Sequence, residues 1–328
     1  MLTQENCATH SGIVKDEFFA VRCQIKRLTK VFSTVYPQLI QQLLTEERLP
    51  ESYAEDAKLW LLPFIEEVRA KLGQQNGSPW LLGINGAQGT GKTTLCKLIK
   101  SCLESEGLAV LVLSIDDFYL SKAARKELAG EVHPLLATRG VPGTHDTAQL
   151  ISLISALQNQ TLNQPLLLPL FDKASDDVVP QNQCPRVEHP VDLIILEGWF
   201  VGVLPECDAA MAAPINHLES EEDQEGIWRH YVNHCLARDY VPIFERLDEL
   251  LLLKAPSFEL VYEWRGLQEQ KLRDSSASGS AGVMTEHQLQ RFIQHYERLT
   301  RHGLSTLPAY ADVVFTLDEE HRITGRSG

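Results

Sequence analysis

One short stretch concentrates residues whose types and spacing suit phosphate chemistry. From Trp80 to Leu95 the chain reads WLLGINGAQGTGKTTL, and Gly86, Gly91, Lys92 and Thr93 meet the spacing G-x-x-x-x-G-K-[ST]. Ala87, Gln88, Gly89 and Thr90 fill the loop and Thr94 follows it. Glycines let a backbone fold so that its N–H groups converge on phosphate oxygens. The helix expected after the loop presents its positive N-terminal end to the same anion. At this spacing Lys92 reaches the outer phosphates of a polyphosphate, and the Thr93 hydroxyl is placed to ligate a hard divalent cation.

Chemistry on a phosphate also needs acids, and in an open α/β sheet ligands sit at the carboxyl ends of the strands. Two apolar runs end in acids there. LAVLVLS leads into Ile115, Asp116, Asp117, Phe118 and Tyr119, and VDLIIL leads into Glu197, Gly198 and Trp199. Transfer of a phosphoryl group to a hydroxyl requires an acceptor for the hydroxyl proton and an acid beside the metal. Asp116 suits the first role and Glu197 the second, whereas Asp117 reads as a strand-exit residue.

The elements that must hold these residues can be read from periodicity. Val14, Phe18, Val21, Ile25, Leu28, Phe32, Val35 and Leu39 recur at steps of four and three, one helical stripe that Pro37 should end or kink. The stripe is also heptad-like, but Ile13, Phe19, Val31 and Ile40 widen it, so it is expected to pack on the protein's own core; the oligomeric state stays open. A second helix is expected from Ser52 to Leu72, and GQQNGSP (Gly73–Pro79) reads as a boundary. This divides the chain into a helical extension, residues 1–79, and an α/β unit, residues 80–328.

In the second unit, strands are expected at Trp80–Asn85, Leu108–Ile115, Val191–Leu196, Asp248–Leu253 and Asp312–Leu317. Helices are expected at Lys92–Leu103, Asp146–Leu157, Trp228–Leu247, Phe258–Arg273 and Thr285–His302, with DSSASGSAG (Asp274–Gly282) as a linker. Apolar strands alternating with helices predict a mostly parallel sheet covered on both faces. Asp146, with Gln149 three residues on, fits a helix cap.

Composition narrows the partners. Lys+Arg is 30 and Asp+Glu is 44 in 328 residues, so the formal charge is −14, which disfavours non-specific binding to nucleic acid or anionic membranes. The richest apolar run, Val191 to Leu204, is interrupted by Asp192 and Glu197 and is too short to span a bilayer. The start, MLTQENCATHSG, has no basic segment followed by an apolar one. The seven cysteines are odd in number and show no metal spacing, so reduced thiols in a cytoplasmic protein are expected.

Further motifs give the pattern a family. SIDDFYL (Ser114–Leu120), RGVPGTHD (Arg139–Asp146), LPLFDK (Leu168–Lys173), ILEGWFVG (Ile195–Gly202), YEWRGLQEQ (Tyr262–Gln270) and FIQHYERLT before a terminal ADVVFTLD follow the phosphate loop in order. From Trp80 to Asp318 the chain resembles the P-loop kinases of the phosphoribulokinase and uridine kinase group, and within it the D-glycerate 3-kinases of plant and fungal type. The resemblance implies a P-loop fold with ATP and Mg²⁺ as ligands. It makes Asp116 the base for the acceptor hydroxyl and puts Thr93 and Glu197 beside the metal. It places Tyr119, Arg139, His145 and Lys173 on the acceptor side and Arg265, with Arg273 as a second choice, on a lid over the phosphates.

The resemblance makes D-glycerate the leading acceptor, but FDKASDDVVP departs from the fuller stretch of those relatives, which keeps uridine, pantothenate or another sugar acid as alternatives. A partner-regulating P-loop ATPase is the alternative from another class. The absence of a guanine-reading NKxD motif and the long segment between Asp116 and Glu197 speak for a small-molecule acceptor instead.

Overall fold

A computed structural model describes residues 35–75, 77–159, 164–275 and 286–328, the side chains of 268–275 and 286 excepted. The apolar stripe up to residue 34, Cys7, Cys23, most of the expected 274–282 linker and the side chain of Arg273 lie outside the described residues.

Six strands form the central sheet: β1 (Trp80–Gly86), β2 (Val110–Ser114), β3 (Leu193–Gly198), β4 (Glu249–Lys254), β5 (Val313–Leu317) and β6 (Ile323–Ser327). Their order is β6-β5-β4-β1-β3-β2. All pairs are parallel except β5 with β6. Every residue of β3 is buried, as both faces of an inner parallel strand must be. The period of two divides its side chains between two cores. Leu193 and Ile195 face one and Ile194 and Leu196 face the other. Fully burying each such side chain contributes about 1.5–3 kcal/mol.

Helices α1 (Tyr36–Glu47), α2 (Leu62–Leu72) and α3 (Lys92–Ser105) share the first core with Leu82, Ile84 and Ile195. The segments Ser52–Asp56 and Ala57–Leu61 run into α2 without a break, the latter as a wide π-type turn, which matches the helix expected there. The stripe before residue 35, which Pro37 was expected to end or kink, lies outside the described residues. Pro37 itself occupies the first turn of α1, where its missing N–H would have had no partner anyway.

Helices α4 (Lys122–Glu131) and α5 (Thr147–Gln158) follow β2, and α6 (Ile227–Cys235) lies beside the second core. The helix expected over Trp228–Leu247 runs from Ile227 to Phe244, with a wide π-type turn at Leu236–Tyr240. The long helices α7 (Phe258–Ser275) and α8 (Glu286–Thr306) come next in the chain. The Asp146 cap forms as expected: its Oδ1 accepts the Gln149 N–H at 2.9 Å. Among the described residues no helix is long and apolar enough to cross a membrane.

Candidate active site

The parallel register brings the important residues to one edge. Glu197 of β3 stands level with Ile84 of β1 and Ser114 of β2, so the phosphate loop and both strand-end acids share the carboxyl end of the sheet. The loop runs directly from β1 into α3. Gly89 has φ +85°, and a Cβ there would lie 2.8 Å from Cβ of Trp264 on α7, so both backbone and packing require glycine. Lys92 folds over the loop, its Nζ donating to the Ala87 carbonyl at 3.1 Å. Burial lowers the Lys92 pKa, against the opposing pull of Glu197 and Asp116.

A cleft of about 320 Å³ opens beside the loop. Gln88, Gly89, Lys92 and Thr93 border it on one side and Asp116, Tyr119, Arg139 and Lys173 on another, with Glu197, Arg265 and Tyr296 completing the wall. Asp116 receives a hydrogen bond from Tyr119 Oη at 2.8 Å and one from Lys173 Nζ at 2.6 Å. Burial alone would raise its pKa, but the Lys173 charge and these two donors outweigh burial and hold it below the usual carboxylate value. Asp117 turns the other way, toward the Phe171 N–H, and burial pushes it up to about 6.

Lys173 owes its position to a small hairpin in which Phe171 and Asp172 pair with Asp177 and Val178. Asp172 caps the turn, accepting the Ala174 N–H at 3.0 Å and the Ser175 hydroxyl at 2.6 Å. The Phe171 ring lies under two guanidinium groups, Arg125 at 5.5 Å and Arg139 at 5.4 Å, and Asp176 ion-pairs with both. Arg139 is therefore held at the cleft from below, and its carbonyl accepts the Tyr296 hydroxyl at 3.0 Å.

His145 requires a correction. It does not line the cleft. Its ring stacks behind Tyr119 at a centroid distance of 4.5 Å, and Nδ1 meets Tyr240 Oη at 2.7 Å. Burial drives its pKa down to about 3, so it is neutral and cannot serve as a cation for a carboxylate. Tyr240 Oη also accepts the Gly143 N–H, which fixes it beside the His145 ring.

Residue spacing missed Arg125, Asp176 and Tyr296. Arg125 sits in KAARKELAGE, outside every motif, yet it is 1% exposed. Tyr296 belongs to the FIQHYERLT motif, a signal that was present without a role.

The donor set fits Mg²⁺. Thr93 and Glu197 border the same cleft as Lys92 and would offer hard oxygen ligands, and Mg²⁺ takes few protein ligands alongside phosphate oxygens and water. Among the described residues no group of three or more His, Cys, Asp or Glu forms an all-protein metal site.

No protein-family model matches the chain. An uncharacterized kinase of Schizosaccharomyces pombe is 33% identical over 245 residues, covering 72% of this chain and 83% of the relative. The chloroplastic D-glycerate 3-kinase of Arabidopsis thaliana is 26% identical over 249 residues, 74% of this chain but 49% of that protein. The solved D-glycerate 3-kinase of Cryptococcus neoformans shares the fold, with a TM-score of 0.67 at 22% identity over 82% of this chain and 99% of that one. With its phosphate loop and strand-end acids on one sheet edge, the chain belongs to the family of ATP-using P-loop small-molecule kinases that includes the D-glycerate 3-kinases.

Proposed function

We propose that this kinase transfers the γ-phosphate of ATP to a hydroxyl of D-glycerate. The observation that carries the acceptor is the pairing of Lys173 with Asp116, with Arg139 on the same cleft wall. A general base flanked by two cations suits an acceptor with a carboxylate next to its hydroxyl. An Arg grips a carboxylate through two parallel hydrogen bonds, and a Lys supplies a point charge.

In this reading the Gly86–Thr93 backbone and Lys92 hold the ATP phosphates. The acceptor carboxylate draws Lys173 and Arg139 to itself. Lys173 leaves Asp116 Oδ2, which then takes the proton of the acceptor hydroxyl as its oxygen attacks the γ-phosphorus in line. Tyr119 keeps Asp116 aimed through Oδ1, and His145 buttresses the Tyr119 ring. Lys92 and Arg265 stabilise charge on the transferred group. Thr93 and Glu197 would hold Mg²⁺, which supplies charge neutralisation on the phosphates.

The test is ADP release with saturating D-glycerate, uridine or pantothenate. D-glycerate is expected to support turnover, with Arg139→Ala raising its KM at least about tenfold, the scale of one lost charged contact. Turnover confined to uridine or pantothenate, or an unchanged KM in Arg139→Ala, overturns the assignment.

A further inference from the structure

A second groove, of about 470 Å³, runs over the outer side of the phosphate loop. Its floor is the loop with Thr93 and Thr94 at the start of α3. One wall is Trp264 and Leu267 of α7 with His321 and Arg322 from the β5–β6 turn. The opposite wall comes from the connection between α1 and the helical run after it, including Leu49, Ser52 and Tyr53. Neither the motifs nor the relatives' names give these N-terminal helices any part in the site.

We propose that the base and ribose of the nucleotide lie in this groove and that the segment 47–61 is its outer wall, making the N-terminal helices part of the nucleotide site. The inference rests on the reading that ATP phosphates occupy the Gly86–Thr93 loop. Lys92 and Thr93 border both spaces, whereas Asp116, Arg139 and Lys173 border only the first. A polyphosphate lying over Lys92 and Thr93 thus has its transferable end on the Asp116 side and its nucleoside end on the other.

The two spaces differ in chemistry in the same sense. Charged groups border both, but Leu49, Leu61, Tyr53, Leu253 and Leu317 border only the second and give it the apolar surface a flat base needs. The wall is also fixed in place. Arg322 donates through Nε at 2.9 Å and Nη2 at 3.0 Å to the Asp56 carboxylate, and Asp56 accepts the Ile323 N–H at 3.2 Å. One ion pair thereby ties the N-terminal wall to the β5–β6 wall across the groove.

The experiment compares ADP with inorganic tripolyphosphate, which can occupy the loop but has no nucleoside. In hydrogen exchange on the full chain, ADP should protect amides in residues 47–61 and tripolyphosphate should not. In calorimetry, Ser52→Trp, which puts bulk into the groove, should weaken ADP at least about tenfold and leave tripolyphosphate within about twofold. Equal protection by both ligands, no protection by ADP, or equal loss of both ligands in Ser52→Trp overturns the proposal. Lys92→Ala reports on the loop separately: unchanged tripolyphosphate binding there refutes the loop reading, whatever the groove does.

Discussion

Asp116 and Asp117 are chemically identical neighbours with opposite electrostatic fates. Asp116 points into the cleft, where Lys173 and Tyr119 stabilise its anion. Asp117 points under the hairpin, where burial destabilises its anion and carries it up to about 6. Asp116→Asn is expected to lower kcat by about 10²–10⁴-fold with little change in ATP affinity, since an amide keeps the shape but cannot take the proton. Asp117→Asn is expected to keep most activity and to raise stability at pH 7 by about 1–2 kcal/mol. The sign follows from linkage. A folded pKa above the ordinary carboxylate value means folding is favoured at low pH and penalised as pH rises through about 6. The advantage of the Asn variant should therefore grow between about pH 4 and 6 and level off above, as urea titrations at several pH values will show. A large loss of turnover in Asp117→Asn instead would reverse the roles. Lys92→Ala should cost about 10²–10³ in kcat at saturating ATP, the usual scale for one transition-state charge donor, while far-UV circular dichroism stays native. Near-normal turnover would remove Lys92 from the chemistry.

At the scale of elements, the proposed function gives the hairpin bearing Lys173 the part on the acceptor side that the β1–α3 loop has for phosphate. The hairpin's turn is set by Asp172 and its base by the contact of Phe171 with two guanidiniums, so the Lys173 ammonium is delivered to Asp116 by local structure. Lys173→Ala should let the Asp116 pKa rise, because the charge that outweighs burial is gone. The acid limb of kcat/KM for the acceptor should then move to higher pH, and the KM should increase; an unmoved acid limb would mean that Lys173 does not face the working base. The loop, both strand-end acids and Lys173 were legible because their motifs are contiguous and lie at strand or turn ends. His145 was misread for a physical reason. Residue type suggests a cation, but Tyr119 and Tyr240 enclose the ring and burial keeps it neutral. No motif marks Arg125, and only the fold places Phe171 and Asp176 on it. The π-type turns at Ala57–Leu61 and Leu236–Tyr240 leave no mark on a 3.6-residue pattern.

For the molecule as a whole, the first described helices and the last strand meet beside the site. The antiparallel strand β6, which was not anticipated, closes the sheet and carries Arg326, which ion-pairs with Glu67 of α2; the turn before it carries Arg322, which binds Asp56. Alternation marks a strand poorly in ITGRS, so its place is set by pairing with β5 and by these ties to the N-terminal helices. Asp56 is 5% exposed, and removing Arg322 would leave that carboxylate with the Ile323 N–H as its remaining donor in this contact. An unpaired buried charge costs more than its pair contributes. Arg322→Ala is therefore expected to lower Tm by roughly 5 °C and Asp56→Ala by a similar amount. The double variant should be little worse than either single one, because the second truncation removes a group the first has already orphaned. Thermal unfolding of the four proteins measures this coupling directly. Strict additivity of the two single effects would show that the pair does not join the N-terminal helices to the β5–β6 turn, and that their apolar face and the Arg326–Glu67 pair hold them there.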